Sequence, residues 1–286
     1  QQMQEGQVVL LENVQFYPGE KNNDLNYAKD LAKSVDLFVF DAFGQSHRDY
    51  ASIVKLPQVL PSCAGLLFEK EIKTLSNALE ETMHPFVAVI GGAKISTKIK
   101  LIQNFIKIAD HINLGGALAN TVIQAKGFSI GQSLSEAEMI SEIKKLKITD
   151  NRLHIPVDIV VSTDRSGTAP ARIAPVGNIR PDELILDIGP DTINLFSLVI
   201  KDAKMVIWNG PMGCFEWDEF ADGTRKIAEI IADSDCFSIV GGGETVSYLN
   251  EINLREKFSH VSSGGGAMLT FLGGEKLPGL EALNQN

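Results

Sequence analysis

Three cysteines in 286 residues (Cys63, Cys214 and Cys236) are too few and too scattered for a disulfide framework or a metal-ligand pattern, and reduced thiols are expected. No apolar run reaches the length of a membrane span, and no basic-then-apolar leader pattern opens the chain. A cytoplasmic location without membrane contact is therefore expected. Basic residues are in deficit: Lys+Arg is 26 against Asp+Glu 36, a formal net charge of −10. That balance excludes broad binding to nucleic acid or anionic membranes, so any bound anion needs a local basic site. Two phosphate signatures are missing as well. There is no GxxxxGK[ST] stretch, and no GxGxxG follows an expected strand, which weighs against P-loop NTPases and dinucleotide-binding proteins. Repeats and low-complexity tracts are absent.

What is present is an alternating pattern. Hydrophobic residues make up 44% and charged residues 22%, as in soluble globular proteins, and the length suggests two domains. Short runs rich in Val, Ile, Leu and Phe at 7–12, 36–43, 85–92, 111–116, 156–162, 203–210 and 235–243 read as buried strands. Amphipathic stretches at 24–34, 69–82, 96–109, 117–126, 135–146, 191–202 and 222–233 read as helices between them. Strands alternating with helices imply parallel sheets covered on both faces. The stretch 66–83 reads as a long helix separating two sheet domains, and the apolar pattern near 268–286, interrupted by Pro278, as a C-terminal appendage.

The strand ends carry the functional signal. Gly91-Gly92, Gly115-Gly116, WNGPMG (208–213), GGGET (241–245) and SSGGGA (262–267) all fall at strand or loop ends. In open α/β sheets ligands sit outside the carboxyl ends of the strands, where glycine lets backbone N–H groups approach a phosphate. One such pair marks an ordinary turn or cap, but five clusters favour a nucleotide or phosphate site. Lys94 and Lys98 follow Gly91-Gly92 one helical turn apart. A helix start does not favour cations, which makes two solvated lysines the weaker reading and an anion site the stronger.

The stretches LLENVQF, DAFGQSHRDYAS, AGLLFEKEI, VIGGAKISTKI, ILDIGP, IWNGPMGCFE, FADGT, IVGGGETV, FSHVSSGGGA and LPGLEAL occur in that order over almost the whole chain. In sequence and order they resemble the motifs of phosphoglycerate kinase. The resemblance implies an α/β fold of two doubly wound parallel-sheet domains joined by a long helix, the first incomplete. Residues 1–65 are expected to be a partial glycerate-binding domain, 66–82 the interdomain helix, 83–265 the nucleotide domain and 266–286 a segment returning to the first domain. It further implies phosphoryl transfer between 1,3-bisphosphoglycerate and ADP, giving 3-phosphoglycerate and ATP in glycolysis, with Mg²⁺, by a monomer. Lys98 is then expected on the nucleotide phosphates and the phosphoryl group in flight, with Lys94 moving in on closure. Glu216 is expected to hold the ribose hydroxyls. Gly92, Gly115, Asn209 and Pro211 border the nucleotide, while Gly241, Gly242, Gly243 and Thr245 form the turn under the phosphates. Ser262, Ser263, Gly264, Gly265 and Gly266 present backbone donors to the transferring group, and Arg48 contacts the glycerate. Each has a plainer reading: a turn for Asn209, and N-capping or tight packing for the glycine loops. Asp41 suits a hydrogen-bond network or a loop cap. His47, His84, His111, His154 and His260 read as structural.

Three departures from the family pattern stand out. Gln15 occupies the position of an arginine expected to bind the glycerate, which removes a charge and a bidentate fork. Glu244 replaces an aspartate that approaches Mg²⁺, one methylene longer. Two basic stretches that the family carries ahead of this region are not found in the sequence. The 286-residue chain is thus expected to bind Mg-ADP while binding 3-phosphoglycerate weakly, with little turnover. Two other readings keep the fold without the activity: a nucleotide-binding remnant, and a non-catalytic interaction protein.

Overall fold

The computed structural model describes residues 3–146 and 150–284. Residues 1–2 of the expected first domain and 285–286 of the expected C-terminal segment lie outside the described residues. The chain divides into two compact units, residues 1–70 with 276–286, and residues 71–275.

In the first unit, α1 (Pro18–Lys21) starts on a proline, whose missing N–H is no loss there. In α2 (Leu25–Ala32) the Asp24 carboxylate caps the first turn by accepting from Asn26 N at 2.7 Å. Strands β1 (Phe38–Phe40) and β2 (Ser62–Ala64) pair in parallel, Phe38 opposite Ser62. The C-terminal helix α11 (Pro278–Leu283) closes on this unit, with Gly279 N donating to Ser46 O at 2.9 Å. Asp41 accepts from Phe68 N at 2.9 Å, so it caps the start of α3 (Leu66–Glu80). The strand expected at 7–12 does not form. Val8 and Leu10 are fully exposed, and no described strand lies beside them to complete a ladder.

The second unit holds a six-stranded sheet of β3 (Phe86–Ile90), β4 (His111–Leu114), β5 (Leu153–His154), β9 (Met205–Asn209), β10 (Phe237–Gly241) and β11 (His260–Val261). Their spatial order is β11-β10-β9-β3-β4-β5, and every pairing is parallel. Chain order runs outward in both directions from the β3–β9 pair, so a topological switch point lies there. Helices α4 (Ile99–Ile108), α5 (Gly116–Ala125), α8 (Asp222–Ala232), α9 (Gly243–Glu251) and α10 (Gly265–Leu272) alternate with the strands, and α7 (Pro190–Lys201) precedes β9. Val87, Val89, Val206, Trp208 and Val240 of the sheet bury against Phe196, Ile200, Ile227 and Ile231 of α7 and α8. Every residue of β3 and β9 is buried, which is why they read as unbroken apolar runs.

One expected strand belongs elsewhere. Residues 158–162 (β6, Asp158–Ser162) pair antiparallel with β7 (Arg172–Pro175) and β8 (Leu184–Ile188) in a separate three-stranded sheet. Its own small core of Ile159, Val161, Ala174 and Ile179 buries the run that resembles a parallel strand. The stretch expected as one helix at 135–146 is a short 3₁₀ turn (Ala137–Met139) followed by α6 (Ile140–Lys145). Among the described residues no helix is long and apolar enough to cross a membrane.

Candidate active site

The five glycine clusters end β3, β4, β9, β10 and β11, five adjacent strands of one parallel sheet. Three helices begin inside these clusters: α5 after Gly115, α9 after Gly242 and α10 after Gly264. Their partial positive charge lies at the carboxyl edge of the sheet, although at α5 the Gly116 and Leu118 N–H groups already donate to Met212 O and Gly92 O. The starts of α9 and α10 adjoin, because a Cβ on Gly265 would lie 2.6 Å from Gly242 Cα.

At the switch point β3 and β9 are stitched beyond their ends. Gly91 N donates to Asn209 O at 2.9 Å, and Gly92 N to Pro211 O at 2.7 Å. The Lys98 ammonium lies in this seam and donates to Gly91 O and, at 3.4 Å, to Asn209 O. Gly210 adopts φ +93°, and a Cβ there would lie 2.5 Å from Lys98 Nζ. Lys98 is 7% exposed and is the only buried lysine or arginine among the described residues. Burial pulls its pKa down to about 8, and the negative charge of Glu244 opposes that fall. Among the described residues no carboxylate lies within salt-bridge distance of it. A buried cation held only by carbonyl dipoles is under-compensated, and an anion arriving beside it is correspondingly favoured.

The pairing of Lys94 with Lys98 on one helical turn is not seen. Helix α4 begins only at Ile99, with Lys98 as its N-cap, and Lys94 lies in the preceding loop with its side chain exposed. Glu136 anchors that loop by accepting from Ser96 N at 2.9 Å and Ser96 Oγ at 2.5 Å. Sequence reasoning did not single out Glu136, which lies 40 residues from Ser96.

The segment Asn209–Glu216 is fixed at several points. Gly210 N donates to Thr245 Oγ1 and Met212 N to Thr224 Oγ1, both at 3.0 Å, and Cys214 N to Leu186 O at 2.8 Å. Asn209 Nδ2 donates to Gly241 O at 3.0 Å. Asn209 and Thr245 are thus buried braces. A cavity of about 260 Å³ adjoins this segment. Leu134, Ile185, Leu186 and Met212 give it apolar walls, and Gly92, Gly116 and Pro211 line it from the strand ends. Glu216, Glu244 and Arg165 supply charge to its lining. Gly92, Pro211, Glu216 and Glu244 are the expected site residues that line it. Lys94, Lys98, Gly115, Asn209, Gly241–Gly243, Thr245, Gly264 and Gly265 do not. Burial and the neighbouring Glu216 push the Cys214 thiol in its wall up to about 11, which makes it a poor nucleophile.

Gln15 and Arg48 belong to the first unit, and both are exposed. Neither side chain has a hydrogen-bond or ion-pair partner among the described residues. Of the histidines, His84 pairs with Asp110 at 2.6 Å, His111 with His154 at 2.9 Å, and His260 with Glu71 at 2.8 Å.

Among the described residues no group of three or more His, Cys, Asp or Glu is placed to hold a metal ion. Glu244, in the first turn of α9, is the carboxylate of the cavity lining whose charge reaches Lys98. Mg²⁺ is commonly held by one or two carboxylates together with substrate phosphates, and a single glutamate fits that mode.

Asp187 belongs to the ILDIGP stretch, whose resemblance assigns it no role. It lines the cavity, is 2% exposed, and burial pushes its carboxyl up to about 8. The ionised form is therefore disfavoured in the folded chain. Between pH 3.8 and about 8 the folded state holds a proton that the unfolded state has lost, so stability falls as pH rises through that window. Asp187→Asn is expected to remove that fall. Urea midpoints at both ends of the window check it, and an unchanged slope would contradict it.

The phosphoglycerate kinase family model matches residues 1–275. A phosphoglycerate kinase of Thermomicrobium roseum is 43% identical over 285 residues, covering 98% of this chain and 73% of the relative. One of Pelotomaculum thermopropionicum is 44% identical over 286 residues, covering 99% and 73%. The solved structure of phosphoglycerate kinase from Coxiella burnetii superposes with a TM-score of 0.88 at 40% identity, covering 98% of this chain and 73% of that one. The enzyme from Pyrococcus horikoshii gives 0.86 at 33% identity, with the same coverage. With likeness in sequence and fold extending over nearly its whole length, the chain belongs to the phosphoglycerate kinase family.

Proposed function

We propose that this chain moves a phosphoryl group between 1,3-bisphosphoglycerate and ADP, giving 3-phosphoglycerate and ATP. The observation that carries the reading, beside the family, is Lys98: a buried ammonium at the switch point of a parallel sheet, without a carboxylate partner among the described residues. Phosphoryl transfer asks a protein for positioning and charge neutralisation more than for covalent chemistry.

In this reading the base lies between the apolar walls of the cavity and the ribose hydroxyls reach Glu216. The phosphates run past Gly92 and Pro211 towards the starts of α9 and α10. Lys98 turns from its two carbonyls to the phosphoryl oxygens, which gain charge in transit. Gly265 offers its backbone N–H at the start of α10, Gly264 turns its own from Ser262 Oγ, and Gly241–Gly243 offer theirs at α9. Lys94, exposed on its anchored loop, adds a second positive charge. Arg48 and Gln15 are the residues of the first unit that take the glycerate ligand. Mg²⁺, when bound, neutralises phosphate charge, and Glu244 is the residue that would hold it.

The test is a coupled assay for ATP formation from 1,3-bisphosphoglycerate and Mg-ADP, with calorimetry for ADP alongside. ADP binding without ATP formation would reduce the function to nucleotide binding. The absence of both would reject the reading. Glu244→Gln keeps size and removes charge, so it is expected to weaken the dependence of ADP affinity on Mg²⁺ by roughly tenfold. Titrations with and without the ion check this, and a variant with unchanged Mg²⁺ dependence would place Glu244 away from the ion.

A further inference from the structure

The roles assigned above leave one buried ionisable group in the cavity wall unused, the carboxyl of Asp187 at the end of β8. Its two oxygens are committed to two different segments. Oδ1 accepts from Ile188 N at 2.9 Å, and Oδ2 accepts from Gly223 N at 2.7 Å, in the first turn of α8. The side chain is also wedged sterically. A Cβ on Gly213 would run into Asp187 Oδ1, and so would one on Gly223. Three segments therefore meet at this carboxyl: the end of β8, the loop that leads through Cys214 to Glu216, and the start of α8. The charged groups near it are Asp222 and Arg225 on α8, and the neutral thiol of Cys214 in the loop also faces it.

We infer that Asp187 is a positioning residue for nucleotide binding, the peg against which the Gly213–Glu216 loop is set at the correct depth in the cavity. This rests on the reading that the cavity takes the base and ribose of ADP. Hydrogen bonds tie the backbone beside Gly213 to its surroundings: Met212 N to Thr224 Oγ1, Gly116 N to Met212 O and Cys214 N to Leu186 O. They hold the backbone on either side of Gly213, but none fills the space beneath it. Asp187 does fill it, and it also fixes the start of the helix that supplies Thr224. Losing the carboxyl lets the loop sink and moves α8 with it, so Glu216 loses its set distance from the ribose. Among the described residues, the Asp187 side chain makes its hydrogen bonds to Ile188 and Gly223 and none to the phosphate end, which is built on β3, β9 and the starts of α9 and α10.

The position is one reason why both neighbours are glycine, with Phe220 O also crowding Gly213 and Ile188 Cγ1 crowding Gly223. It also sets the expected ranking of substitutions. Alanine removes both acceptors and the filling volume. Asparagine keeps the volume and one acceptor, and resembles the neutral acid that burial favours.

Calorimetry with two probes, Mg-ADP and inorganic pyrophosphate with Mg²⁺, separates base-and-ribose placement from phosphate binding. Asp187→Ala is expected to weaken ADP binding by roughly tenfold or more, as for a buried hydrogen-bonded group lost from a site, with pyrophosphate binding within about twofold. Asp187→Asn is expected to recover ADP affinity to within about threefold of the starting protein. Gly213→Ala, which pushes on the same carboxyl from the loop side, is expected to repeat the ADP-selective loss, and it carries the test if Asp187→Ala does not fold. The inference is overturned if Asp187→Ala and Gly213→Ala bind ADP normally. It is equally overturned if they lose ADP and pyrophosphate in parallel, or if Asp187→Asn is as weak as Asp187→Ala. Leu186→Trp, which fills the cavity, tests the underlying reading separately. If that variant binds ADP normally, the base lies elsewhere, whatever Asp187 does.

Discussion

Replacing Lys98 with methionine is expected to reduce phosphoryl transfer by roughly 10³-fold and, in the same protein, to raise stability. The two effects have one cause. Lys98 is buried, its pKa is drawn down to about 8 by burial, and its partners are two carbonyl oxygens. In the resting protein the charge is a liability, and in the proposed function it becomes an asset when phosphoryl oxygens arrive. Methionine keeps the length and apolar stem and removes the charge. Against that gain stands the loss of the donor to Gly91 O, so the net stabilisation should be about 2 kcal/mol at neutral pH. The pH dependence fixes the sign. Below pH 8 both folded and unfolded states carry the proton, and the penalty is present in full. Between about 8 and 10.5 the folded state sheds its proton first, so the stability of the unmodified protein rises and the advantage of the variant shrinks. Affinity for ADP should change by less than about tenfold, since the charge acts mainly where charge develops. Thermal melts across this pH range and a coupled assay measure both halves. A variant that loses activity and stability together would show that Lys98 is structural.

That dual character was only half legible in the sequence. The run GGAKISTK shows two lysines after a glycine pair, and helical spacing suggests that both share one exposed turn. The helix actually starts at Ile99, five residues after Lys94, because Glu136 holds Ser96 in a loop. The contact that holds the loop between the two lysines comes from 40 residues away in sequence. The strands β3, β4, β9 and β10 were legible for a simple reason. Each is buried on both faces, and burial on both faces leaves an unbroken apolar run ending in glycine. Strands β5 and β11 have two residues each, too few for any periodicity to register. Residues 7–12 and β6 mislead in opposite ways. The first has strand composition without a described neighbour, and the second has a parallel strand's composition with antiparallel neighbours. Composition reports burial and propensity, whereas pairing is a property of what lies alongside. Asp187 gave a signal that was open to notice: a carboxylate closing an apolar strand immediately before Ile-Gly-Pro. A charge there has to be partnered or neutralised.

Glu71 carries the other large expected effect. It is fully buried in α3 and accepts three hydrogen bonds, from Ser263 N at 2.5 Å, Ser263 Oγ at 2.7 Å and His260 Nε2 at 2.8 Å. Burial alone would raise its pKa, but the hydrogen bonds from His260 and Ser263 outweigh that and hold it below the usual carboxylate range. One side chain thus secures β11 and the glycine loop that starts α10. Glu71→Leu has similar bulk and leaves all three donors without a partner. Breaking a buried pair in this way is expected to cost roughly 3–5 kcal/mol. Glu71→Gln should cost much less. Its oxygen can still accept from Ser263, and its amide can donate to His260 Nε2 once the imidazole carries its proton on Nδ1 instead. The pH dependence adds a second signature. A carboxyl whose pKa is lowered on folding stabilises fully above its ordinary value of 4.5, and that contribution is lost as pH falls through the folded-state value. Glu71→Gln should therefore show a shallower loss of stability on acidification than the unmodified protein. Urea unfolding at neutral and acid pH measures the ranking, and amide exchange at residues 262–266 reports whether the loop loosens first. If the leucine variant is as stable as the glutamine variant, the three donors find other partners and Glu71 does not hold this loop.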